Sequence, residues 1–93
     1  MTVDKLKSLF QFYVDHMLNS GYRPMENKVD DSTKTYQLAH CAWMCDECLK
    51  EKGLIEQGRV EKAMRWLGYI QGVLRAFCVF KLEELKTHSR SDK

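Results

Sequence analysis

Proline occurs once in these 93 residues, at Pro24, and glycine five times, so little in the chain interrupts a helix and nothing in its composition marks a disordered segment. Apolar residues make up 44% but are dispersed among charges, and no run approaches the ~20 needed to cross a bilayer as a helix. The opening residues carry Asp4 and lack the apolar stretch of a secretory signal, so a cytoplasmic setting is expected. Neither sign of charge dominates: the net charge is +2, with acids and bases interleaved. That balance argues against nucleic acid or an anionic membrane as the partner. There is no glycine-rich phosphate loop, no Ser, His and acid in a nucleophile pattern, and no paired-carboxylate motif. A non-enzymatic protein without a cofactor is therefore expected.

What the chain does have is helical periodicity. Leu6, Leu9, Phe10, Tyr13, Val14, Met17 and Leu18 recur at spacings of three and four, with Thr2 or Asp4 as cap and Gly21 as stop. Residues 22–31 read as an irregular connection, because Pro24 drives Arg23 out of helical geometry. Asp31 or Ser32 would cap a second helix that carries Leu38, Cys41, Ala42, Cys45, Cys48 and Leu49 on one face and Tyr36, His40 and Trp43 on an adjoining one. Gly53 would end it, and Gly58 lies near a short turn, so the second and third helices are expected to form an antiparallel hairpin.

The third helical run spans residues 59–80. Val60, Ala63, Met64, Leu67, Ile70, Leu74 and Cys78 form a stripe that would meet the cysteine-lined face of the second helix. Trp66, Tyr69, Val73, Phe77 and Phe80 continue the apolar surface round the cylinder, more than one core contact requires. A chain this short buries only about 60–65% of its unfolded surface alone, so these five residues are assigned to a subunit or partner interface. Leu82–Lys86 predicts a last short helix packed through two leucines, with fraying after it. The expected architecture is all-α: three main helices with a helical hairpin and a short C-terminal helix, one domain over 1–88 with a tail at 89–93, forming a homo-oligomer.

Without a signal peptide, the four cysteines are expected as reduced thiols. Cys41, Cys45 and Cys48, joined by Cys78, would be the ligands of a zinc site. Three thiols along one helix, however, spread over ~10 Å of rise and do not bracket a turn, so packing as small hydrophobes is the preferred reading. Arg65, Gly68, Gly72 and Arg75 form a second group: two glycines four apart expose backbone to a neighbouring helix or to a flat anionic ligand between guanidinium groups. Tyr36, His40 and Trp43 form a third, a candidate recognition surface.

At His40–Cys45 and Arg59–Gly72 the chain resembles small uncharacterised helical proteins of tailed bacteriophages and prophages. The resemblance covers about the last two-thirds of the chain and carries no functional residues. It implies the host cytoplasm as setting and an accessory role: binding a host protein, inhibiting a host or defence enzyme, or sequestering a defence signal. The expected function is a self-associating, non-catalytic protein that binds a host protein. The alternatives are an oligomeric sponge for a nucleotide, held by Arg65, Arg75, Trp66 or Tyr69, and a zinc-stabilised structural module.

Overall fold

In the computed structural model, which describes residues 1–26 and 33–89, the chain folds into four helices: α1 (Val3–Asn19), α2 (Lys34–Leu49), α3 (Val60–Ala76) and α4 (Leu82–Ser89). Thr2 caps α1, its hydroxyl accepting the Lys5 N–H at 3.0 Å. At the other end Gly21 adopts φ +94° while its N–H donates to Leu18 O and the Tyr22 N–H donates to Met17 O, the paired bonds of a Schellman stop. Thr33 caps α2 by accepting the Tyr36 N–H; Asp31 and Ser32, expected in that role, lie outside the described residues.

The connection from α2 to α3 folds back on itself. Leu54 and Ile55 donate their N–H groups to Glu47 O and Cys48 O, which buries both side chains under the end of α2. Gly58 closes the turn at φ +78°. All four helices feed one core, in which Phe10, Tyr13, Leu38, Ile70 and Leu74 are fully buried together with Cys41, Cys45 and Cys48. The broadest pairing is α1 with α2, ahead of the expected α2–α3 hairpin. The reason is that α1's stripe of Leu6, Phe10, Tyr13 and Met17 is the bulkiest apolar face available to cover the small cysteines. The radius of gyration, 12.6 Å, is close to the ~12 Å of a single packed domain this long, so no element stands away from the rest.

The helical run expected over 59–80 stops at Ala76. Phe77 is the C-cap, Cys78 sits in the left-handed region at φ +59°, and the Cys78 and Val79 N–H groups donate to Arg75 O and Leu74 O. This is a second Schellman stop, with cysteine where glycine is usual. Cys78 is therefore exposed, off the core stripe to which periodicity assigned it. A non-glycine residue in this conformation costs about 1–2 kcal/mol, so Cys78→Gly is expected to raise stability by roughly 0.5–1 kcal/mol, read as a higher urea midpoint.

After this stop the Lys81 N–H donates to the Glu84 carboxylate at 2.8 Å and starts α4, which runs past the expected end at Lys86. Leu85 is buried, whereas Leu82 stays largely exposed, so one leucine and not two anchors the helix. Residues 90–93, the expected tail beyond Ser89, lie outside the described residues.

Candidate binding cleft

The aromatic residues of α2 and α3 meet in an open cleft. His40 and Trp43, one turn apart on α2, stack with ring centroids 5.4 Å apart and planes 13° from parallel. Trp66 on α3 faces Trp43 across the helix pair at 6.1 Å. Met44 and Tyr69 complete the walls of a cleft of about 360 Å³. Lys62, one turn before Trp66, lays its ammonium 5.4 Å from the indole centroid, a cation–π contact on one of the cleft's walls. His40 is oriented from outside the helix pair: its Nδ1 donates to Met25 O at 3.3 Å, while the Met25 N–H donates to Ala39 O. Met25 is thereby tied to α2 at both its N–H and its carbonyl.

The cleft draws from two of the groups the sequence singled out. His40 and Trp43 of the candidate recognition surface line it, while Tyr36, in α2's first turn, does not. Of the five residues assigned to an interface, Trp66 and Tyr69 belong to it, and Tyr69 is 51% exposed. Val73 and Phe80, each only 8% exposed, are enclosed by their own chain, which corrects their assignment to an interface. Phe77, the C-cap of α3, is half-buried against the core. The early end of α3 explains Phe80: released from the helix, it packs among Phe12, Tyr13, His16 and His88, with centroids 4.9 to 5.8 Å away.

The Arg65, Gly68, Gly72 and Arg75 group is divided. About 15 Å of helix separates the two arginines, too far for one phosphate. Arg75 and Gly72 join Gln71, Leu82, Leu85 and Lys86 around a second open pocket of about 320 Å³ between α3 and α4. A methyl group added at Gly68 or Gly72 would meet no atom of another element within 4 Å, so among the described residues no other helix packs closely on that face. The close helix contact expected of these glycines is not made within the chain.

The cysteines separate likewise. Cys41, Cys45 and Cys48 are fully buried and Cys78 is exposed at the end of α3; among the described residues no three His, Cys, Asp or Glu side chains converge as metal ligands would. Burial pushes the Cys41 and Cys48 thiols up to about 12, and Cys45 higher still, with the neighbouring thiols adding to its shift. These are the opposite of the thiolates that nucleophiles and metal ligands require.

Periodicity did not reveal one further constellation. The Tyr13 hydroxyl, on a side chain with no exposed surface, accepts from Gln71 Nε2 at 3.0 Å and lies 2.9 Å from His88 Nδ1. Burial raises the Tyr13 hydroxyl, opposed by the Gln71 bond, and desolvation lowers His88. These three residues come from α1, α3 and α4, separated by 58 and 75 positions from Tyr13, and the only sequence signal was a tyrosine on a buried face, which implies a partner for its hydroxyl.

Among the described residues no helix is long and apolar enough to cross a membrane. No protein-family model, curated protein or solved structure matches this chain.

Proposed function

We propose that this chain is a small non-catalytic binding protein that self-associates and docks a host protein through the cleft of His40, Trp43, Met44, Trp66 and Tyr69. The observation that carries the reading is Tyr69, half exposed at the edge of a cleft whose other walls are two tryptophans, a histidine and a methionine. Tyrosine and tryptophan supply most of the large hot-spot contributions in protein interfaces, and Met adapts to irregular partners. The bare backbone at Gly68 and Gly72, beside Tyr69 on α3, leaves room for a partner's backbone to approach. Inhibition of a host or defence enzyme is the accessory role that the phage resemblance implies.

Tyr69→Ala tests this reading. Because the side chain is half exposed, folding should be little affected, while self-association measured by sedimentation across the micromolar range should weaken by at least tenfold, the effect of losing a hot spot of about 2 kcal/mol. A wild-type chain that stays monomeric throughout, or a Tyr69→Ala chain that associates as well as wild type, rejects it. Host binding is assigned to the cleft by a bacterial partner that wild type and Arg75→Ala retain and Tyr69→Ala loses.

One observation favours a second reading, a nucleotide sponge: Arg75 and Lys86 line the α3–α4 pocket together with Leu82 and Leu85. Cyclic-nucleotide binding in calorimetry, weakened by Arg75→Ala and untouched by Tyr69→Ala, would select it.

A further inference from the structure

The Tyr13–His88 contact ties the last helix to the body of the protein, and its chemistry depends on one proton. Gln71 Nε2 is a donor only, so the Tyr13 oxygen accepts from it and the Tyr13 hydrogen is directed to His88 Nδ1, 2.9 Å away. That arrangement requires Nδ1 to be unprotonated. An imidazolium donates from both nitrogens, so its Nδ1–H would meet the Tyr13 hydrogen across the 2.9 Å contact and the bond from the buried hydroxyl to His88 could not be kept. We propose that α4 is a pH-released clasp, docked while neutral His88 accepts the Tyr13 hydroxyl and undocked when His88 takes up a proton.

The surroundings of His88 favour the neutral ring. Phe12 and Phe80 meet it edge-on at 5.2 and 5.0 Å, so two apolar rings take the place of part of its hydration. On α1, Lys5 opposes protonation, and His16 shares the aromatic cluster through Phe80 and Phe12. On α4 itself Glu84 favours protonation, and α3 presents the neutral Gln71. Desolvation is the largest influence and holds His88 below its ordinary value, which agrees with the geometry. A histidine lowered in this way contributes docking stability in full above its ordinary value of about 6.5, and the contribution is lost as pH falls through the lowered value. Leu85 is the other anchor of α4, so release uncovers Leu85 and Phe80 together and opens an apolar face beside the α3–α4 pocket.

Two readouts test the clasp: the ring-proton NMR titration of His88, and amide hydrogen exchange of α4 in the same samples. Wild type should titrate below about 6.5, with protection of α4 falling at least tenfold over the same pH interval while α1–α3 keep theirs. In Tyr13→Phe the His88 titration should move back toward the ordinary value and α4 protection should no longer follow it. His88→Asn, which places an amide oxygen near the position of Nδ1 and does not titrate, should keep α4 docked at all pH values tested. His16→Asn should leave the response intact. A His88 that titrates at or above the ordinary value, α4 protection that ignores the titration, or a pH response that survives in His88→Asn overturns the proposal.

Discussion

Between about pH 9 and 12 the protein should lose stability steeply, and three buried cysteines should set the slope. The ordinary thiol value is 9.0, whereas burial holds Cys41 and Cys48 at about 12 and Cys45 higher still. Above pH 9 the unfolded chain therefore releases protons that the folded chain retains. The unfolded state then binds fewer protons, so stability declines as pH rises, by about 1.4 kcal/mol per pH unit for each thiol. Three thiols together give roughly 4 kcal/mol per unit, and a domain of this size holds only about 5–14 kcal/mol in all, so unfolding near pH 11 is expected. Tyr13, raised by burial, adds to the loss above its own ordinary value of 10.0.

Urea unfolding followed by circular dichroism at successive pH values measures the slope directly. Cys45→Ala lowers the starting stability through the cavity it leaves but should reduce the slope by about a third, since one of three buried thiols is gone. If Cys45→Ala leaves the alkaline slope as steep as in wild type, the thiols are not its source.

Gly53→Ala is the second large effect. A methyl group there would be driven into Glu47 O and would lie 2.9 Å from Lys50 O. Both are backbone atoms with no rotamer to yield. Both also hold bonds that the turn needs: Lys50 O accepts from Gly53 and Glu47 O from Leu54. Moving them apart loosens the segment that buries Leu54 and Ile55, so the cost should reach the upper end of overpacking, about 3 kcal/mol or more. For a domain of 60–100 residues each kcal/mol shifts the melting temperature by about 4–8 °C, so a fall of at least ~12 °C is expected.

Gly68→Ala is the contrasting substitution. It places the same methyl in open space on a helix, where the gain in helix propensity should stabilise the fold by about 0.5–1 kcal/mol. Thermal melts of the two variants side by side should move in opposite directions. A Gly53→Ala chain as stable as wild type would mean that the α2–α3 connection is not packed as described.

The comparison of these glycines also shows which parts of the fold were legible in advance. Gly21 read correctly as a helix stop, since a glycine after a periodic apolar run is the usual left-handed terminus. Gly53 read as the end of α2, yet what matters there is the approach of two carbonyls, which no local pattern encodes. Gly68 and Gly72 read as room for a neighbouring helix or a flat ligand, and the other described elements of the chain leave them bare. The stop at Cys78 had no signal at all, because neither glycine nor proline marks it, and α3 was therefore expected to reach Phe80.

The candidate cleft was half legible for the same reason. His40 with Trp43, and Trp66 with Tyr69, stood out as pairs one turn apart, because spacing along a helix is a local property. That the pairs face each other, with Trp43 and Trp66 6.1 Å apart, depends on how α2 and α3 rotate against a core shared with α1.

By itself the sequence determined an all-helical chain, a cap for α1 at Thr2 or Asp4, the stop at Gly21, and the apolar stripes of α1 and α2, because each follows from residue type and a period of 3.6. Only the tertiary structure decided which apolar residues the chain would cover itself. Val73 and Phe80 went inside and Tyr69 stayed out, since burial depends on what the other helices bring to a face and not on how apolar that face is. It also decided that Tyr13, Gln71 and His88 would meet, a contact among three helices that no pattern within one helix can specify.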